Sequence, residues 1–276
     1  MRDISLLVTL VVYLFSLGSV YADNKNQRKA VIVTATRTAQ TADEILSSVT
    51  VITRKDIERQ QARSISDLLR GIQGINIANN GGPGKNTSIF IRGTESDHVL
   101  VLIDGIRAGS ATSGGAAYEN IPIEQVERME IVRGPRSSLY GSEAIGGVIN
   151  IFTRKGRKKG ITPSFSLSGG SYGTFSGSAG LSGRNNRGWF NINISGKHTN
   201  GFNSCTGKPF PSGAGCYTNE PDRDGYNNVA GSFKAGYLFK NGLKIETNFM
   251  QSSGKNNYDG TFSNKSELVQ RVFGGK

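Results

Sequence analysis

The sequence predicts a small α+β domain followed by an antiparallel β-sheet of barrel or sandwich type, and three observations carry that prediction. Short β-branched runs alternate with polar, capped segments over residues 40–153. A basic run, Arg154-Lys155-Gly156-Arg157-Lys158-Lys159, then interrupts the chain. Beyond it strict period-2 alternation takes over, the pattern of strands with one apolar and one polar face.

In the first domain, Val49–Thr53 (VTVIT) reads as a strand, and Arg54-Lys55-Asp56-Ile57-Glu58 opens a polar helix. Ser64 stands three residues before Asp67. That spacing resembles a capping box with Asp in place of Glu and starts a second helix. Gly71 and Gly74 end it, and Ile75-Asn76-Ile77 starts a strand. The runs 88–93 (SIFIRG) and 98–105 (HVLVLIDG) are β-rich, the second closing on an Asp-Gly turn. Residues 123–126 and 142–145 are short connectors. Strands at Met129–Val132 and Val148–Phe152 flank turns built on Gly134-Pro135 and on Gly141, Gly146 and Gly147.

In the second part, Phe165 and Leu167 alternate with Ser164, Ser166 and Ser168. Phe190, Ile192 and Ile194 alternate with Asn191, Asn193, Ser195 and Lys197; Val229, Phe233, Ala235 and Tyr237 with Ala230, Ser232, Lys234 and Gly236; Leu243, Ile245 and Phe249 with Lys244, Glu246 and Asn248. This gives about five strands, with a sixth begun over 267–273. A lipid-facing exterior around a hydrated lumen fits this alternation, and a soluble sandwich fits it equally.

Composition narrows the function classes. The 276 residues include Gly 37 and only 36% hydrophobic residues, which suits a turn-rich β protein. Residues 6–20 (LLVTLVVYLFSLGSV) run into Val20-Tyr21-Ala22, a small-x-small pattern, so residues 1–22 read as a secretory signal peptide. The run is shorter than the roughly 20 apolar residues a membrane-spanning helix needs. Cys205 and Cys216 share one polar loop, and in an oxidising compartment such a pair would be joined. The net charge of +12 is unevenly spread. Residues 23–153 hold 15 Lys+Arg against 14 Asp+Glu, net +1, and residues 154–276 hold 17 against 6, net +11. Helix-turn-helix, zinc-finger and RNP patterns are missing, so the charge does not argue for nucleic acid. An enzyme is not indicated and no catalytic cofactor is expected. His98 and His198 form no paired motif, and Gly84-Lys85 is followed by Asn86 where a phosphate-binding loop needs Ser or Thr.

Two segments carry a resemblance. Residues 125–153, QVERMEIVRGPRSSLYGSEAIGGVINIFT, closely resemble the end of the plug domain of TonB-dependent outer-membrane receptors. Asn80-Gly81-Gly82-Pro83-Gly84, then 88–94 (SIFIRGT) and 98–105 (HVLVLIDG), are similar to the outer-membrane cobalamin transporters, from about Val31 to Thr153 and thinly to about Gly260. The resemblance and the signal peptide together favour a transmembrane barrel over a sandwich. They imply a Gram-negative outer-membrane importer with its plug and tail toward the periplasm. The divisions would be a signal peptide (1–22), a tail with the TonB box (23–38), a plug (39–153), a linker (154–160) and a partial barrel (161–276). Such receptors have 22 strands, so the chain reads as an N-terminal fragment that would not transport alone.

The resemblance also assigns sites. Val31, Ile32, Val33, Thr34 and Ala35 would be the TonB box, whose extended backbone can add to a partner's sheet edge. Asn86, Ser88 and Glu95, with Ser113 and Gly114 of a second loop, align with ligand-contacting positions. The ligand would be cobalamin, with a ferric siderophore as the alternative; a plug that binds without transporting is a third reading. The acidic run Glu220-Pro221-Asp222-Arg223-Asp224 puts three carboxylates at i, i+2 and i+4, on one side of an extended or looped backbone. Hard oxygen ligands so arranged suit calcium, although a solvated acidic turn has the same spacing. By resemblance, Asn203, Glu220, Asp222, Asp224, Tyr258, Asp259 and Gly260 would hold structural calcium. The basic excess of the barrel half is expected to form a rim facing the phosphates of lipopolysaccharide, while the run Arg154–Lys159 itself reads better as a charged, solvated linker.

Overall fold

The computed structural model describes residues 48–110, 114–156, 158–205, 222–259 and 264–276 in full, and the backbone of 32–33 and 40–41. All of these belong to one compact unit, Val31–Lys276. The apolar run at 6–20 lies outside the described residues. No described helix is long and apolar enough to cross a membrane, which says nothing about strands.

Two short strands come first. β1 (Ile32–Val33) pairs antiparallel with β2 (Gln40–Thr41), Ile32 opposite Thr41. The first domain is built on a five-stranded mixed sheet of β3 (Val49–Thr53), β8 (Val126–Arg133), β9 (Gly147–Thr153), β6 (Val99–Ile103) and β7 (Ile106–Arg107), in that spatial order. β6 and β9 run parallel, and the other neighbours are antiparallel. All five residues of β6 are buried, which accounts for its unbroken apolar run VLVLI. Asp104 (φ 52) and Gly105 (φ 88) link Ile103 to its partner Ile106, a two-residue hairpin of the I′ kind the Asp-Gly pair predicts.

A separate hairpin joins β4 (Ile75–Asn79) to β5 (Thr87–Ile91). Helix α1 (Arg54–Gln60) starts one residue after a capping box the sequence reading did not single out. Thr53 Oγ1 accepts from Asp56 N at 3.4 Å, and Thr53 N donates to Asp56 Oδ2 at 3.0 Å. At α2 (Ile65–Leu69), Ser64 Oγ accepts from Asp67 N at 3.0 Å, the capping half of the expected box. Ile65, Leu68 and Leu69 of α2 join Ile89, Ile91, Met129, Ile131, Ile149 and Ile151 in the domain core. A one-turn helix, α3 (Ser137–Tyr140), lies between β8 and β9.

The second part is a six-stranded antiparallel sheet in chain order: β10 (Gly160–Gly170), β11 (Thr174–Arg184), β12 (Gly188–Thr199), β13 (Tyr226–Leu238), β14 (Lys244–Asn257) and β15 (Lys265–Gly275). The sixth strand foreseen over 267–273 is therefore present. β11, whose TFSGSAGLSGR is mostly Ser and Gly, was not spelled out by alternation. The register aligns one apolar row across all six strands: Pro163–Leu181–Ile192–Phe233–Phe249–Phe273. That face is open, with Phe165 73%, Ile194 62% and Phe273 73% exposed. The opposite face carries Asn191, Asn193, Asn228, Lys234 and Ser252 and is buried against the first domain. Met250 and Val272 even enter that domain's core.

One end of the sheet has the tight turns 185–187 and 239–243, and here the linker enters. The other end carries the long connections 200–225 and 258–264, with one tight turn, 171–173. This asymmetry places much of the basic excess of the second part at one end. Lys158 and Lys159 of the linker, Arg184 and Arg187, and Lys240 and Lys244 all sit at the short-turn end, away from the long loops.

Candidate functional site at the plug–wall interface

Of the five residues of the expected partner-binding box, the backbone of Ile32 and Val33 is described, and Val31, Thr34 and Ala35 lie outside the described residues. The strand character is present, and one of its two edges is used by β2. Its other edge has no strand partner among the described residues.

The expected ligand positions fall in two groups. Asn86 is exposed at the end of the β4–β5 hairpin, its carbonyl accepting from Asn80 N at 3.2 Å. Ser88 follows on β5, opposite Ala78. Glu95 is exposed beyond the other end of β5, after a turn with positive φ at Arg92 and Gly93. Gly114 lies against Asp97, where an added Cβ would come within 3.2 Å of the Asp97 Cβ, so the second loop joins Glu95's neighbourhood. Ser113 lies outside the described residues.

The acidic constellation is brought together in part. Carboxylate oxygens of Asp222, Asp224 and Asp259 all lie within 4.8 Å of one another. Asp224 is 3% exposed. Its Oδ2 accepts from Ser204 N at 2.8 Å and from Ser204 Oγ, while its Oδ1 is buried with no hydrogen-bond partner. A carboxylate oxygen so placed, beside two further carboxylates, has the donor chemistry of a hard-cation site. Asn203 Oδ1 accepts from Cys205 N at 2.9 Å, holding its own loop. Tyr258 N donates to Asn264 O at 2.9 Å across the base of the β14–β15 loop. Glu220 and Gly260 lie outside the described residues, as does Cys216; Cys205 is 5% exposed and disulfide-bonded.

The sequence reading missed the cation that meets this cluster. Lys85 noted there only as part of a failed phosphate-loop motif, is 2% exposed. Its Nζ donates to the Asp224 carbonyl at 3.0 Å and to Asn256 Oδ1 at 2.6 Å. Burial pushes the Lys85 pKa down, and the carboxylates of Asp224, Asp259 and Asp222 oppose that shift. The tip of the β4–β5 hairpin is thus tied to β13 and β14. Gly84 makes the approach possible: with φ +77 and the Tyr226 ring against it, it has no room for a Cβ.

Further contacts tie the two parts. Tyr226 OH donates to Glu119 O at 3.0 Å and Asn120 Oδ1 at 2.8 Å, and Asn228 Nδ2 donates to Asn120 Oδ1 at 3.5 Å. Beside them, burial pushes the Glu119 carboxyl up to about 7, against backbone N–H donors of Glu119 and Thr87 that favour its charged form. A cavity of about 30 Å³ lined by Glu119, Lys197, Tyr226 and Asn228 has room for water and not for an organic ligand. Toward the short-turn end, Lys234 Nζ forms an ion pair with Asp104 Oδ1, the two side chains 8% and 5% exposed. Asp104 also accepts from Thr153 N at 3.1 Å and from Thr153 Oγ1. A single lysine on a polar strand face gives no sequence signal for such a pairing.

Comparison with known proteins fits this layout of a packed domain against the polar face of a curtain of strands. Residues 41–148 match the family model of the TonB-dependent Receptor Plug Domain. The vitamin B12 transporter BtuB of Vibrio cholerae is 39% identical over 227 residues, covering 82% of this chain and 36% of that protein. Its counterpart in Photobacterium profundum is 33% identical over 246 residues, covering 89% and 39%. The chain thus spans somewhat more than a third of the length of these relatives. Among solved structures, the siderophore receptor PirA of Acinetobacter baumannii superposes with a TM-score of 0.59 at 26% identity, over 77% of this chain and 32% of that one. A mutant ferric enterobactin receptor, PfeA of Pseudomonas aeruginosa, superposes at 0.65 with 22% identity, over 89% and 39%, and speaks for the fold alone. The first domain is a plug, the strands after it are wall strands of the barrel type, and the chain belongs to the TonB-dependent receptors.

Proposed function

We propose that this chain forms the gate and the first wall strands of an outer-membrane importer of vitamin B12, a corrinoid, energised through TonB. The observation that carries the reading is the 39% identity to a vitamin B12 transporter over 227 residues, a stretch that includes both plug and wall. Solved siderophore receptors share the fold at 22–26% identity, which keeps a ferric siderophore as the second reading. In this account the apolar row around Phe233 and Phe249 faces lipid and the polar face surrounds the plug. The long-loop end faces outside, because barrels of this kind keep their tight turns on the periplasmic side.

Ligand would meet the plug at Asn86, Ser88, Glu95 and the loop of Ser113 and Gly114. TonB would capture Val31–Ala35 by strand addition. Asp222, Asp224 and Asp259, with Asn203, Glu220, Tyr258 and Gly260, would hold calcium, supported by the buried, unpartnered Asp224 Oδ1. Calcium there would neutralise three close carboxylates and fix the β12–β13 and β14–β15 loops together.

The test is a chimera. Residues 48–276 replace the matching segment of the Vibrio cholerae transporter in cells lacking their own B12 receptor. TonB-dependent corrinoid uptake is the expected result. Uptake of ferric siderophore without corrinoid would transfer the assignment to the second reading.

A further inference from the structure

The two ends of the sheet differ in balance: the long-loop end carries Lys197, Arg223, Lys255 and Lys265 alongside Asp222, Asp224, Asp259 and Glu267, whereas the short-turn end is almost wholly cationic. Lys158, Lys159, Arg184, Arg187, Lys240 and Lys244 are exposed at the short-turn end. Of the wall's described carboxylates only Glu246 is there, and it is taken by Lys244 at 2.8 Å and approached by Lys276 at 3.8 Å. The plug's Glu58 and Glu127 act on Arg154 at the start of the linker. Lys158, Lys159, Arg184, Arg187 and Lys240 therefore have no ion-pair partner among the described residues.

Register fixes where these charges stand. Gly160 pairs with Arg184, Arg187 O accepts from Leu238 N at 2.8 Å, and Leu238 pairs with Lys244. The cations thus follow the ends of five adjacent strands, a row of roughly 19 Å at about 4.8 Å per strand. Directly beside the row, on the open face, begins the apolar belt: Ile161 71%, Leu181 41%, Tyr237 43% and Ile245 50% exposed. Tyr237 and Phe239 pack edge to face there, centroids 4.9 Å apart. Aromatic rings of this kind mark the boundary between hydrocarbon and headgroups. Basic side chains one or two residues past such a boundary stand at headgroup depth, with apolar stems that can lie along the belt.

We infer that the short-turn rim is a docking surface for anionic phospholipid headgroups of the leaflet it meets. The inference rests on the orientation proposed above, which makes that leaflet the periplasmic one and its lipids phospholipids, not lipopolysaccharide. The row would anchor the wall strands at a fixed depth beside the linker that leads to the plug.

The test reconstitutes the full-length chimera described above, whose barrel is closed, into mixed phosphatidylglycerol–phosphatidylcholine vesicles, extracts it in mild detergent, and analyses the retained lipid by native mass spectrometry. Phosphatidylglycerol should be enriched over its bulk share, and the enrichment should fall as salt rises. Each of Arg184→Gln, Arg187→Gln and Lys240→Gln should weaken retention by about fivefold, the equivalent of one surface cation. The charge-conserving pair Arg184→Lys and Arg187→Lys should retain it, which separates lost charge from lost folding. Equal retention of both lipids by the unmodified chimera, or unchanged enrichment in the triple Gln variant, would overturn the inference and leave the orientation standing. A separate arm places a cysteine at Asn186 in the same turn and treats cells with an impermeant maleimide. Labelling only after permeabilisation is expected. Labelling in intact cells would overturn the orientation and this inference together.

Discussion

Asp104 offers the sharpest perturbation of the plug–wall interface. It is nearly buried, it is paired with a nearly buried Lys234, and it occupies the first position of an I′ turn with φ 52. Asn tolerates that φ as well as Asp does, so Asp104→Asn keeps the turn and removes only the charge. What remains is an ammonium enclosed between plug and wall whose remaining nearby carboxylate, Glu246, is already held by Lys244. Breaking one side of a buried pair costs about 3–5 kcal/mol, and partial access here puts the expectation near 3 kcal/mol. Lys234→Met should cost less, about 1–2 kcal/mol, because Asp104 keeps both donors of Thr153. The double variant should resemble Lys234→Met alone, since the stranded charge is gone. Urea unfolding of the full chain in detergent micelles can be followed by the single tryptophan. Trp189 is 9% exposed and packs on Gly236, two residues from Lys234. An Asp104→Asn midpoint within about 0.5 kcal/mol of the parent, or a double variant as unstable as the sum of the singles, would refute the reasoning.

Three further outcomes follow from the same interface. Gly84→Ala forces a Cβ into the Tyr226 ring at φ +77; it should destabilise by about 2–3 kcal/mol and expose the hairpin tip to limited proteolysis. The Glu119 carboxyl is raised to about 7 when folded from 4.5, so the folded state holds its proton over a window in which the unfolded chain has lost it. Stability should therefore fall by about 3 kcal/mol as pH rises from below 4.5 through 7, and thermal melts of Glu119→Gln should lose that slope. If the acidic cluster holds a hard cation, terbium luminescence sensitised by Tyr258 should report it, and Asp224→Asn should weaken binding about tenfold; equal signal from both proteins would count against the site.

Much of the fold is written locally. The buried β6 reads as an apolar run, Asp104-Gly105 as a hairpin, Ser64 as a cap, and the wall strands as alternation. These signals lie within a few residues of one another, where backbone preference and the pleat act directly. Where local chemistry was weak, the reading was incomplete. β11 is too rich in Ser and Gly to show two faces, and Thr53, the cap that boxes with Asp56, is also the last residue of the β-branched run VTVIT.

The sequence by itself determined that a capped α+β domain precedes strands with one apolar and one polar side, and that carboxylates cluster near Asp222 and Asp224. Only the tertiary structure decided what meets across the interface. Lys85 reaches Asp224 and Asn256 across 139 and 171 residues of chain, Lys234 reaches Asp104 across 130, and Asp259 joins the two earlier aspartates from another loop. It also decided which end of the wall carries the positive charge. The sum of +11 was visible in the composition, but its position depends on which turns share an end, and strand register fixes that where residue counting cannot. Long-range pairing is set by how the plug docks on the polar face, and no window of sequence contains both partners.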